Sequence, residues 1–489
     1  MVSKKFLTSS FVYTFSSMLS TVASFVLLPF YTNTSLLKVS DYGVLALYIG
    51  LSLLVQVFTN FSIDVYINVA YHELKDQPEK LKSKLAYLNA YLLFTGAVIA
   101  ILFAVSGNMF IQHYVDNPNP NSFRYVMMSV FTGIFNAHFK FYNAILVNRE
   151  KPLRYLLSNL LNFVTTIVFS LIILETHPLT LEGPIWGRFL SCACIFAWSF
   201  ADVTFTYGMA FSREFVKPMF QFCLPLAVTT FFQWILSSSA NYIIKPLLFN
   251  KEVAIFDLAT KCTLLVNFLI DGITSAMTPR IFSLMKDKNN LNNIREVNKY
   301  FSAFNLVTIL IIPLNILVIP MVLPIFISDP KYLEAFLYFG ILCAGLVTRG
   351  MVNLYIYPIH YYRKTSRLIT INGIAAMFQL ILVYLMVKYF KLYGAAFTLN
   401  IVKVFLLALY AYFCRDLLNE KVNLQKMIWL PLIALLFMSI PELFIHQYGW
   451  QMHVIHLIEL CMVFIVTLYI YRRELPGFIA WGLGLAKQK

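Results

Sequence analysis

Fourteen predominantly apolar stretches, each about 20 residues or longer, follow one another along this chain, separated by short polar breaks. They lie near 7 to 31, 43 to 71, 85 to 111, 123 to 147, 154 to 176, 183 to 209, 218 to 248, 252 to 283, 300 to 327, 333 to 361, 367 to 387, 392 to 413, 428 to 446 and 453 to 471. A bilayer core about 30 Å thick takes about 20 apolar residues per helical crossing. Inside lipid a continuous segment must satisfy its own backbone hydrogen bonds, which a helix does and an isolated strand does not. With 59% hydrophobic and 12% charged residues, the composition is far from that of a soluble domain. The expected fold class is all-α: a polytopic membrane protein of about 14 transmembrane helices.

The formal charge of +15 would suit a nucleic-acid binder, but its distribution excludes that class. With the N-terminus in the cytoplasm, 25 of the 38 Lys and Arg fall in cytoplasmic breaks or tails, among them "KLKSK" at 80 to 84 and "NREKPLR" at 148 to 154. Seven fall in the opposite breaks: Lys38, Arg124, Lys245, Lys251, Lys331, Lys388 and Lys391. This is the positive-inside asymmetry, and an even number of spans then puts both termini in the cytoplasm. The basic start of the chain resembles a signal peptide, but its apolar run continues through "VLLPFY", so an uncleaved first helix is expected. The seven cysteines all lie in apolar stretches without metal-ligand spacing, which points to packing.

A weak internal repeat appears when the end of the first span is laid over that of the seventh. "LLPFY" (27 to 31) matches "IKPLLF" (244 to 249), and "SDYGVLALY" then matches "EVAIFDLAT". An offset of six helices preserves orientation and predicts parallel repeats around a central path. The expected organisation is a six-helix lobe over 1–216, a second over 217–427, and two extra helices with a cytoplasmic tail over 428–489.

The "SDYGVL" loop after a Pro-ended first helix, the stretch "FCLPLAVTTFFQWILSSSANYIIKPLLFNKEVAIFDLATK" and the later "MTPRIF" resemble the polysaccharide-transport (O-antigen flippase) branch of the multidrug, oligosaccharidyl-lipid and polysaccharide exporter superfamily. The resemblance implies a flippase of the bacterial inner membrane that carries an undecaprenyl-diphosphate-linked oligosaccharide to the outer leaflet. It further implies helices 1, 2, 7 and 8 around the cavity, membrane lipids as surroundings, and a polysaccharide polymerase with its chain-length machinery as partners. No cofactor is implied beyond proton or sodium coupling.

Charged residues inside the spans carry the residue-level reading. In "DLATKCTLLVNFLIDGITSAMTPR", with Asp257 set to zero, Lys261 falls at about +40°, Asp271 at about −40° and Ser275 at about 0°. One face of this helix is therefore polar. A charge at the bilayer centre costs roughly 2.5–3.5 kcal/mol, so the stripe is expected to face the bundle interior or a wet cavity. Asp257 and Lys261 are spaced to pair, which leaves a structural pair and an anion site both open. Arg280, at the helix end, is expected to reach the cytoplasmic interface. Lys140, Arg349 and Lys403 lie roughly 13 to 20 Å from the nearest cytoplasmic break, a depth that a long side chain reaching for water spans only in part, which leaves open for each both a place lining a cavity and a carboxylate or backbone carbonyl partner within the bundle. Lys261, Arg349, Lys140 and Lys403 are the candidate substrate-binding cations. Asp257, Asp271 and Asp64 are the candidate coupling or charge-pairing acids, with Asp64 expected to pair with one of the cations. Pro29, Pro225 and Pro246 are candidate bending points.

Buried cations suit an anionic cargo such as a diphosphate. An organic-cation antiporter of the same superfamily is the first alternative, and it would favour buried acids. A membrane polymerase, ligase or glycosyltransferase is the second; the breaks, none longer than roughly 16 residues, are too short for a soluble domain and carry no DxD or nucleophile motif, so no enzyme is expected. A passive scaffold is the third, and so many deep charges argue against it. In "HVIHLIEL", His453, His456 and Glu459 spread over about 120° of one helix, with Glu442 and His446 ending the helix before. No second motif supports them, and no metal site is expected there.

Overall fold

The structure is a computed structural model that describes residues 4–74, 76–115, 120–285, 291–362, 364, 366–414, 416, 425–444 and 449–476. All regular structure among them is helical. Eleven helices are long and apolar enough to cross a membrane. One of these, Ser366–Cys414, is broken at Lys391 (φ 51°, ψ −134°) into helices 366–390 and 392–414. They fold back on each other, with the rings of Phe378 and Phe405 in a tilted contact at a centroid distance of 4.3 Å. Gly394 permits the tight reversal, because a Cβ there would strike the backbone carbonyl of Met386. Ser122–Asn148, a helix of 27 residues, and the shorter apolar Lys426–Ser439 complete the membrane set. The all-α polytopic class holds, and about 14 remains a fair count.

The chain packs as two compact units, residues 1–254 with 327–329 and residues 255–326 with 330–489. In the first, Pro152–Thr176 packs on Glu182–Tyr207, and Val39–Asn60 on Ser122–Asn148. Small residues allow this in lipid, where close backbone contact replaces the hydrophobic drive. Gly187 sits so close to Ser170 that a Cβ would come within 2.6 Å of its backbone nitrogen. Gly187→Val is therefore expected to cost about 1–3 kcal/mol or more by overpacking. Fluorescence-detected chromatography of solubilised membranes should show a lower melting temperature for this variant, and an unchanged profile would refute the contact's importance.

The second long helix of this unit bends where two consecutive non-glycine residues, Phe61 (φ 46°) and Ser62 (φ 58°), are left-handed. Each costs roughly 1–2 kcal/mol. Phe61 is held against Phe220, with ring centroids 5.3 Å apart, and the Ser62 hydroxyl faces that of Thr230 at 3.5 Å. In the second unit, Leu291–Val322 packs on Trp450–Tyr471, and Phe336–Ala344 packs on both 366–414 and Leu430–Ser439. Five of the cysteines are buried as expected, whereas Cys194 and Cys461 are exposed. Pro225 and Pro246 stand inside the Arg213–Leu247 helix, and Pro29 opens the short helix Leu28–Tyr31.

Candidate functional site

The polar stripe expected from the sequence forms on the helix Asn250–Leu284, which is continuous through all three charges. Lys261 Nζ lies 2.7 Å from Asp257 Oδ2, and both side chains are largely sheltered. A turn and a half further on, Asn267 accepts a hydrogen bond of 2.9 Å from Arg349 Nη1. Arg349 Nη2 pairs with Asp271 Oδ1 at 2.8 Å. The second pair is the more open, with side-chain exposures of 39% and 53% against 22% and 13% for Lys261 and Asp257. The stripe thus grades from a shielded ion pair to an accessible one. The side chains of Ser275 and Arg280 lie outside the described residues.

Arg349 owes its place to a local break in the chain. The helix Phe336–Ala344 tightens into a 3₁₀ turn, Gly345–Val347, before Thr348–Tyr361 resumes the helical course. Such a turn changes which carbonyls are used within the helix and leaves others for outside donors. The Ile341 carbonyl accepts from Asn400 Nδ2 at 2.6 Å, and the Leu342 carbonyl from Lys403 Nζ at 3.5 Å. Gly345 makes room for both, since a Cβ there would collide with Asn400 Oδ1 and lie 2.6 Å from Lys403 Nζ. Among the described residues Lys403 has no carboxylate partner.

Three of the four candidate cations, Lys261, Arg349 and Lys403, thus belong to the second unit together with Asp257 and Asp271. Three positive charges stand against two carboxylates, an excess of one cation. Lys140 belongs to the first unit, where it is exposed on Ser122–Asn148 and has no ion-pair partner among the described residues. Asp64 also lies in the first unit and departs from the expectation that it pairs with a cation. Its Oδ1 accepts from Asn60 Nδ2 at 2.7 Å, because the bend at Phe61 and Ser62 turns Asp64 back toward the preceding helix. Asn267 was not anticipated; at about −80° from Asp257 it stands at the margin of the stripe, and its spacing alone gives no signal. A cleft in the first unit, lined by Lys38, Asp41, Tyr48, Tyr125 and Lys251, includes none of the candidate cations.

The two ion pairs thus lie along one face of Asn250–Leu284, the second of them completed by Arg349 from Thr348–Tyr361. Residues 34–328, more than half of the chain, match the family model described as "Polysaccharide biosynthesis protein". The chain belongs to this polysaccharide biosynthesis family. Among curated proteins no match is found. The fold of this family member is similar to that of the lipid II flippase MurJ in an inward closed conformation, with a TM-score of 0.72 at 14% identity over 96% of this chain and 99% of that one. It is also similar to an inward-facing multidrug resistance MATE family transporter of the MOP superfamily, with a TM-score of 0.62 at 16% identity over 83% and 94% of the two chains. The MATE multidrug transporter DinF-BH gives a TM-score of 0.61 at 14% identity over 87% and 97%. At these identities the likeness is one of fold: the family member has the polytopic architecture of MOP-superfamily transporters.

Proposed function

We propose that this polysaccharide biosynthesis protein is a flippase, not an enzyme, that moves an undecaprenyl-diphosphate-linked oligosaccharide across the bacterial cytoplasmic membrane by alternating access. The observation that carries this reading is the excess of one cation among the five candidate residues Asp257, Lys261, Asp271, Arg349 and Lys403. Lys261 and Arg349 stand in ion pairs, the Arg349 pair the more accessible, and Lys403 among the described residues meets a carbonyl at 3.5 Å and no carboxylate. A diphosphate supplies acceptor oxygens for guanidinium and ammonium donors, and such charge-assisted bonds are roughly twice as strong as neutral ones. The polyprenyl tail remains in hydrocarbon, so the passage has to shelter only the diphosphate and the sugars. The family's description, polysaccharide biosynthesis, is consistent with a cargo that carries sugars. In this reading both termini face the cytoplasm, and membrane lipids and a downstream polymerase are the neighbours.

The organic-cation reading predicts the opposite charge balance, with acids in excess. Deleting the gene in its host, extracting lipids and probing each leaflet with a membrane-impermeant reagent separates the two. Single lipid-linked repeat units are expected to accumulate on the cytoplasmic leaflet and to clear when the gene is restored. Normal delivery to the outer leaflet in the deletion strain would overturn the flippase reading, and drug sensitivity would then favour the exporter.

A further inference from the structure

Away from the polar stripe, two consecutive membrane helices close on a second group of ionisable residues. Glu442 lies in the 3₁₀ turn Pro441–Leu443 that follows Leu430–Ser439. His456 and Glu459 are three residues apart on Trp450–Tyr471, about 60° from each other around that helix. One ligand atom from each of the three lies within 4.8 Å of the others. All are sealed from solvent, with exposures of 0%, 1% and 3%. His456 Nε2 is 2.9 Å from Glu442 Oε1. Among the described residues Glu442 Oε2, Glu459 Oε1 and His456 Nδ1 are buried without a hydrogen-bond partner, and neither carboxylate pairs with Lys or Arg. Gly340 on the facing helix clears the space, since a Cβ there would enter the Glu442 carboxylate.

Such a group is expensive as it stands. A desolvated ion costs several kcal/mol, and a single imidazolium can neutralise only one of two carboxylates. Buried acceptors with unused lone pairs add to the cost. One divalent cation removes both penalties at once. The donor set of one imidazole nitrogen and two carboxylate oxygens suits Zn²⁺ or a neighbouring first-row ion, whereas Ca²⁺ and Mg²⁺ prefer all-oxygen shells. We propose that Glu442, His456 and Glu459 form a binding site for one divalent transition-metal ion that staples the last two membrane helices together. The site is independent of the transport reading, because none of its residues belongs to the polar stripe.

The test uses the full-length, untagged protein in nanodiscs, dialysed against buffered Zn²⁺ and assayed by mass spectrometry for metal per chain. About one Zn²⁺ per chain is expected, as one three-ligand site requires. The near-isosteric double variant Glu442→Gln/Glu459→Gln should lose it, and Gly340→Ala, which displaces the Glu442 carboxylate, should weaken it at least ~10-fold, about 1.4 kcal/mol. Zn²⁺ should raise the melting temperature of the unaltered protein and leave that of the double variant unmoved. Zinc K-edge absorption of the unaltered protein should show one imidazole in a shell of nitrogen and oxygen alone. A folded, unaltered chain that retains no Zn²⁺ overturns the site and leaves a proton-sharing cluster. Undiminished binding in the double variant, or a thiolate in the metal shell, overturns it equally, and the absorption measurement decides even if the variants fail to fold.

Discussion

Lys261→Ala is expected to abolish translocation, whereas Lys261→Arg keeps most of it. The argument starts from the 2.7 Å contact to Asp257. If Lys261 serves only to balance Asp257, removing it leaves a sheltered carboxylate uncompensated, at a cost of about 3–5 kcal/mol that appears as lost protein. Neutralising both partners in Asp257→Asn/Lys261→Gln should then restore protein level and transport together. If Lys261 instead contacts the cargo's diphosphate, the double variant regains protein level but stays inactive. Losing one charge-assisted hydrogen bond, about 1.5–3 kcal/mol, predicts a loss of roughly 10- to 100-fold in transport per molecule. Complementation of the deletion strain, normalised to the membrane content of each variant, is the measurement. An active double variant would remove Lys261 from the transport path.

Lys403→Met is expected to separate stability from function. Lys403 has no carboxylate partner among the described residues, its carbonyl contact is long at 3.5 Å, and its ammonium occupies the space that a Cβ at position 345 would fill. A cation held in the bundle without a counter-charge is a liability for folding, and replacing buried ionic groups by apolar ones of similar volume can stabilise by about 1–4 kcal/mol. Because only one ion is involved and Lys403 is partly exposed, the lower end, about 1 kcal/mol, is the expectation. The melting temperature should rise by a few degrees while transport falls at least ~10-fold, the effect of losing about 1.4 kcal/mol of cargo binding. A variant that is both more stable and fully active would show that the ammonium has no part in carrying the cargo.

How much of this could be read before the structure depends on the range of the interaction. The spans were legible because hydrophobic length is local, and the Asp257–Lys261 pair because a four-residue spacing on a helix places both on one face. The pairing of Arg349 with Asp271 and Asn267 was not, since it depends on how Thr348–Tyr361 docks on Asn250–Leu284. The same holds for Lys403, whose partner is a carbonyl freed by a 3₁₀ turn that carries no marked sequence signature beyond Gly345. That Asp64 meets Asn60 rather than a cation was not legible either, because the left-handed pair at Phe61 and Ser62, neither of them glycine, gives no warning of a bend. Glu442 joins His456 and Glu459 only after the chain turns back between the last two helices, so angles measured along one helix understate the cluster.

The two exposed cysteines have a practical consequence. Cys194 lies in the first unit and Cys461 in the second, while the other five thiols are buried. The native chain therefore carries one attachment point per unit for a lipid-tolerant spin label, without any engineered substitution. Pulsed electron resonance between the two labels, with and without lipid-linked cargo, would report any displacement of one unit against the other as a change in a single distance distribution.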